Sequence, residues 1–405
     1  DDMVSATGSA FLGMTIGCAR CHDHKIDPIP AEDYYRLTAV FFDIAKVKPK
    51  AGNRHVALKF TEPHLLAGGN WKRPIRKVTP GFVTVLMRDG RNSESWLAKA
   101  ETTQDSSKLK GPRHGLAQWL TDVESGAGPL LARVIVNRLW QHHFGRGLVK
   151  TPNDFGHLGS KPSHPQLLDW LAQEFVRQNW SMKKLHRSIM LSSAYQMSSE
   201  FSQEADQKDP TNDLFWRYNM RRLTAEEIRD SILAVSGELN LQMFGPGIYP
   251  PLPAEVLATS SRPGGAWGNS PPREAARRTI YIHVKRSLRP PMLAGFDVPD
   301  TDTPCAVRMQ TTVPTQALGM LNSQFLNSQA LLFAKRLQEA HPDDQASQIR
   351  MAVQLTAGRN ASEKELQADL QFIAALQSRE GLNAEAARQQ YALMMLNTNE
   401  FVYLD

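Results

Sequence analysis

Leu130-Leu131-Ala132-Arg133-Val134-Ile135-Val136-Asn137-Arg138-Leu139-Trp140-Gln141-His142-His143-Phe144-Gly145 decides the fold class. Leu131, Val134, Ile135 and Leu139 recur at three- and four-residue steps, which line one face of an α-helix. Gly145 then supplies the left-handed residue that ends one. Similar signals recur on both sides of this stretch. Ser163-His164-Pro165-Gln166 has capping-box spacing ahead of Leu167, Leu168, Leu171 and Phe175. Thr224-Ala225-Glu226-Glu227 repeats it, with Leu223 and Ile228 placed as a hydrophobic staple and Gly237 suited to the exit. Pro30 followed by Glu32 and Asp33 opens a short helix through Phe42. Gln316 to Leu337, Ala346 to Ala357, Ser362 to Leu376 and Ala384 to Leu396 read as four amphipathic helices.

The expected class is therefore mainly α, a multi-helix C-terminal domain with a small β component near 80–90 and 278–286. Phe82 to Met87 before Asp89-Gly90, and the alternating Ile280, Ile282 and Val284, are the two expected strands. The domain boundaries read from the sequence are 1–50, then 51–112 as a basic linker or small β-rich insert, and 113–405 as a helical domain.

Composition narrows the rest. A chain of 405 residues with 41% hydrophobic content can bury a substantial core, and 22% charge with dispersed proline excludes wholesale disorder. Three cysteines exclude a disulfide-stapled scaffold. The net charge of +6 hides an asymmetry. Lys46 to Lys77 holds nine Lys/Arg against Glu62, Arg262 to Arg289 holds seven against Glu274, and Glu339 to Asp405 holds ten acids against five bases. Solvated loops are the plain reading of the basic stretches, and a surface for a polyanion is the sharper one. Aromatics are sparse in the first stretch, so no nucleic acid is expected. No apolar run reaches the ~18 residues of a bilayer span, so no transmembrane segment is expected. The chain reads as the C-terminal part of something longer.

Cys18-Ala19-Arg20-Cys21-His22 is the element that points to a chemistry. A c-type haem needs two thiols to add across its vinyl groups and an adjacent imidazole to bind iron, and this spacing puts them on one turn. Tyr34, Phe41 and Phe42 would supply an apolar wall. A zinc site drawn from Cys18, Cys21, His22 or His24 and the remote Cys305 competes with it. So do a Cys18–Cys21 redox pair and small residues incidental to a core. Haem iron would take His22 as its proximal ligand, and His24, His142, His143 or a methionine are candidates for the sixth position.

Gly17 to Pro30 with Asp33-Tyr34-Tyr35-Arg36-Leu37 resembles the end of the planctomycete-type cytochrome-c-associated domain (domain of unknown function 1549). Arg133 to Gly147, Thr151 to Gly156, Pro162 to Pro165, Arg229 to Ile232, Thr311 to Pro314 and Leu396 to Phe401 resemble its companion, domain of unknown function 1553. The resemblance implies a large protein of planctomycete-like bacteria, exported to the periplasm or cell surface, and implies no settled activity.

Remaining polar residues divide between roles. His142 and His143 could bind metal or act as acid and base, or simply sit at a helix C-terminus where the dipole favours a cation. Asp154, His157 and His164 lie in a Gly/Pro-rich loop, and a meeting of His142 or His143 with His157 or His164 would make a second site. Met394 and Met395 read as core, and Cys305 as a buried thiol. Walker, Gly-x-Ser-x-Gly and His-Glu-x-x-His patterns are absent. Three functions stay open: a haem-c redox protein with a redox partner protein, a non-enzymatic module for acidic polysaccharide or a partner protein, and a structural zinc protein. The catalytic residues are unknown.

Overall fold

The computed structural model describes residues 1–42, 62–102, 110–260, 267–301, 305 and 307–405. The chain divides into two compact units, Asp1–Asn219 and Met220–Asp405. That division falls inside the stretch that the sequence reads as one helical domain. The class is mainly α with a small β part.

Unit 1 carries helices α1 (Asp2–Thr7), α2 (Ala31–Val40), α3 (Ser93–Thr102), α4 (Pro112–Thr121), α5 (Gly128–Phe144), α6 (Pro165–Arg177), α7 (Met182–Met190) and α8 (Gln203–Lys208). Its core joins Val4, Leu12 and Ile16 from the N-terminal segment to Tyr34 and Leu37 of α2, Trp119 of α4 and Leu131 of α5. Strands β1 (His64–Leu66) and β2 (Pro74–Lys77) form an antiparallel hairpin with His64 opposite Lys77.

The expected strand at 82–87 is a 3-10 turn, Thr84–Leu86. Phe82 and Val83 are fully buried, with Phe82 stacked on Trp119 at 5.2 Å between ring centres. Asp33 of α2 then takes both Thr84 donors, the backbone N–H and the hydroxyl, each at 2.7 Å. An apolar run that plugs a core and is tied by its next residue has no partner strand to seek. Burial pushes the Asp33 carboxyl up, against the lowering effect of the Thr84 bonds.

Helix α5 ends at Gly145, whose φ of 75° is the left-handed conformation the sequence requires. Asn137, fully buried within it, pairs with Val149 beyond the turn. Its Nδ2 donates to the Val149 carbonyl at 3.0 Å, and its Oδ1 accepts the Val149 N–H at 2.8 Å. A Cβ on Gly147 would stand 2.6 Å from that Nδ2, so glycine permits the close wrap. Arg138 reaches back to the Ser9 carbonyl at 2.8 Å and to Asn153 Oδ1 at 2.6 Å, tying α5 to the N-terminal segment. The capping box expected at Ser163 is not made. His164 is the N-cap of α6 without a side-chain cap, and its Nδ1 meets the Ser163 hydroxyl at 3.0 Å.

Unit 2 carries α9 (Ala225–Ser236), α10 (Ala254–Ala258), α11 (Pro272–Ala275), α12 (Pro291–Gly295), α13 (Pro314–Leu321), α14 (Gln324–Ala340), α15 (Gln345–Ala357), α16 (Glu363–Ser378), α17 (Ala384–Met395) and α18 (Asn399–Val402). The Thr224 capping box forms in full, and Gly237 closes α9 with φ of 88°. The single helix expected over 316–337 is two. Asn322 ends α13, and the Ser323 hydroxyl caps α14. Ile228, Ile232, Phe333, Ile349, Ile373 and Tyr391 share one core, which also takes Met395 and, partly buried, Met394.

The second expected strand is also a turn, Thr279–Tyr281, followed by isolated bridges from Ile282 to Ile248 and from Lys285 to Leu288. Two residues of α9 hold it. Arg229 donates to the carbonyls of Ala275 and Arg277 at 2.7 and 3.1 Å, and Asp230 accepts the Thr279 N–H at 2.7 Å. Burial brings the Arg229 guanidinium down to about 10. Strands β3 (Arg221–Arg222) and β4 (Tyr403–Leu404) pair antiparallel, so the two ends of unit 2 meet.

Candidate functional site

The Cys-x-x-Cys-His element starts on a 3-10 turn, Ile16–Arg20, whose apolar residues Ile16 and Ala19 are buried, with Cys21 at its end and His22 just beyond. Burying those two turns Cys18 and Cys21 outward, and both thiols are free and exposed. Helix α2 steadies the turn at two points. Tyr35 donates its hydroxyl to the Arg20 carbonyl at 2.8 Å, and Asp23 Oδ1 accepts the Ala31 N–H that opens α2 at 2.8 Å. Gly69, beyond β1, approaches Cys21 so closely that a Cβ there would lie 2.9 Å from the sulfur.

His22 is exposed, and its Nδ1 lies 2.6 Å from the Asp23 carbonyl. A carbonyl accepts only, so Nδ1 carries the proton and the Nε2 lone pair points away from that bond. His24 differs. Its Nδ1 accepts the Asp27 N–H at 2.9 Å, and its Nε2 meets the Thr15 hydroxyl at 3.0 Å, so both ring nitrogens are engaged within the loop. Asp27 is the centre of the next shell, with a side chain 4% exposed. Its Oδ1 takes the backbone N–H and Nδ1 of His157, each at 2.9 Å. Burial would raise the Asp27 carboxyl, but the two His157 bonds together with the nearby His24 hold it below the usual range.

Beside the turn lies a cleft of about 320 Å³ lined by Tyr35, Phe41, Phe42, Leu66 and Trp71, with Arg20 and Gly69 in its wall. Phe41 and Phe42 thus stand where an apolar wall was expected, and Tyr34 is buried in the core instead. Two outward thiols one turn apart and an imidazole with a presented Nε2 fit the attachment chemistry of a c-type haem. Neither thiol nor His22 lines the cleft, so the apolar enclosure that a haem also uses is not built by these lining residues alone.

His142 and His143 end α5, as expected. His142 is exposed, and His143 Nε2 lies 2.8 Å from Nδ1 of His186 on α7. The Tyr195 ring stands edge-on to His143 at 5.3 Å, and Tyr218 donates to the His143 carbonyl at 2.8 Å. Of the two loop histidines, His157 bonds Asp27 and His164 faces Phe215 at 5.8 Å. His186 escaped notice since it sits between Leu185 and Ile189, in a helix that reads simply as amphipathic.

Cys305 is exposed rather than buried, with its sulfur 3.3 Å from the Val307 carbonyl. Among the described residues no three His, Cys, Asp or Glu side chains are grouped to hold a metal ion. The first half of the basic stretch from Lys46, up to residue 61, lies outside the described residues. At its end Arg76 pairs with Glu32 and Lys77 with Glu62, each at 2.7 Å. No helix among the described residues is long and apolar enough to cross a membrane.

Fold and site together define a two-unit, mainly helical protein with a Cys-x-x-Cys-His turn braced near its N-terminus. Residues 112–373, more than half of the chain, match the family described as Protein of unknown function (DUF1553), and the chain belongs to that family. Residues 1–46 match a second, Protein of unknown function (DUF1549). No curated protein and no solved structure gives a match.

Proposed function

We propose that the N-terminal turn is a covalent haem-c attachment site and that the protein is an exported redox or electron-transfer protein. The observation that carries this reading is the His22 geometry. Nδ1 is spent on the Asp23 carbonyl, so Nε2 keeps its lone pair for a metal, on an exposed ring that directly follows two exposed thiols. Cys18 and Cys21 would hold the group, each S–H adding across a vinyl C=C, so the attachment needs no oxidant. His22 would supply the proximal nitrogen, and its bond to the Asp23 carbonyl would fix the ring and raise its basicity. The haem, when bound, supplies one-electron exchange. Tyr35 and Asp23 keep the turn at a set distance from α2, and the His24–Asp27–His157 network holds the following loop. The reading implies a redox partner protein and a periplasmic or cell-surface location.

The test is expression of the full chain in a periplasm with c-type maturation, followed by haem staining of a denaturing gel and a reduced-minus-oxidised spectrum. Covalent stain is expected in the wild type, none in Cys18→Ala/Cys21→Ala, and an altered spectrum in His22→Ala. An unstained wild-type band under these conditions overturns the reading.

A further inference from the structure

In unit 2 the chain from Leu241 to Gly247 runs beside the turn at 279–283. Asn240 bridges to Arg277 and Ile248 to Ile282, so the two segments lie side by side. Their outer side chains are apolar and open to solvent: Leu241 is 68% exposed, Met243 63%, Phe244 76%, Ile280 74% and Val284 71%. Five large apolar residues on adjoining segments are not the scattered exposure of an ordinary surface.

The tip is held from inside. Arg277, 1% exposed, donates Nε to the Gln242 carbonyl at 3.2 Å and Nη2 to the Phe244 carbonyl, and lies 4.0 Å over the Tyr281 ring. Tyr281 in turn accepts the Phe244 N–H at 2.8 Å. Phe244 has φ of 65°, a conformation that a bulky residue adopts only where its surroundings impose it. A buried arginine therefore keeps a phenylalanine outside.

The flanks are basic. Arg273, Arg278 and Arg286 are exposed around the tip. Of the acids close in sequence, Glu274 pairs with Arg277, Asp230 takes Thr279 and Arg278, and Glu238 stands at the end of α9. Protruding apolar side chains inside a cationic rim match the two layers of an anionic lipid surface, acyl chains within and phosphates at the edge.

We propose that Leu241, Met243, Phe244, Ile280 and Val284, rimmed by Arg273, Arg278 and Arg286, form a docking surface for an anionic lipid bilayer. The apolar tip enters the interface, and the arginines meet the headgroup phosphates.

Co-sedimentation of the full chain with vesicles of phosphatidylcholine, with and without phosphatidylglycerol, tests this. Retention is expected on the anionic vesicles and weaker in high salt. Phe244→Ser should lower the partition coefficient about tenfold, the size expected from withdrawing one large apolar side chain. Arg273→Glu/Arg278→Glu should lower it on anionic vesicles alone. Phe244 is exposed, so its thermal midpoint should hold; should it fall, Ile280→Ser is the variant that decides. Equal retention on neutral and anionic vesicles, no retention, or an unchanged Phe244→Ser partition each overturns the proposal. So does sedimentation analysis showing that the patch serves self-association instead.

Discussion

Asp27→Ala probes the loop that follows the Cys-x-x-Cys-His turn. The wild-type carboxylate is almost wholly buried and accepts two bonds from His157. The backbone bond to a charged acceptor contributes about 1.5–3 kcal/mol. The ring bond counts for less, because the His157 side chain is 72% exposed and can rehydrate, so about 0–1 kcal/mol is the fair figure. Relief of the buried carboxylate's desolvation offsets about 1 kcal/mol. The net expectation is a loss of about 2 kcal/mol at neutral pH. The sign with pH follows from the depressed carboxyl. Its contribution is complete above the unfolded value of about 3.9 and disappears as pH falls through the lower folded value. Urea unfolding of both proteins should therefore show a gap at neutral pH that narrows as pH falls below about 4. Hydrogen exchange at neutral pH should place the loss in the 22–30 and 154–160 loops. A gap that is constant across pH, or one under about 0.5 kcal/mol at neutral pH, refutes the assignment of Asp27 as a charged anchor.

Asn137→Ala leaves the buried Val149 N–H and carbonyl without partners and should cost about 3 kcal/mol in urea unfolding. The exchange protection of the Val149 amide should fall with it. Arg359 holds Glu400 at 2.8 Å and also grips Glu365, keeping the Glu365 carboxyl at about 2. That interaction is present above the unfolded carboxylate value of about 4.3 and is lost as pH falls through about 2. Arg359→Met should accordingly move the Glu365 midpoint upward in a carboxyl NMR titration. All three cysteines are exposed, so the folded, reduced, haem-free chain should react with three equivalents of a thiol reagent without denaturant. A slow third thiol would contradict the exposed placement of Cys305.

Helices were legible where a period met its own stop signal. The run to Gly145 and the Thr224–Gly237 helix needed only local chemistry, and both stand as read. The two expected strands failed for one physical reason. An apolar run records burial, not a partner, and Phe82-Val83 and Ile282 are buried by single side chains inserted into cores that sequence spacing does not reveal. Ser163 misled because a capping pattern cannot show that the cap position will fall on His164. Within the site, the cysteines and His22 were visible as a motif. The engagement of His24 by Thr15 and Asp27 depends on a loop closing through Ile29, and the His143–His186 contact joins two helices 43 positions apart. Neither leaves a spacing to read.

The ribbon of Arg221–Arg222 against Tyr403–Leu404 has a mechanical consequence. Tension applied between the start of unit 2 and its last residues would act on four residues and unzip them before any load reached the helices behind. The Leu223 N–H bond to Val402 at 2.8 Å would be the next to carry force. Any load entering at that corner of unit 2 would therefore meet the two-residue ribbon before it met the core.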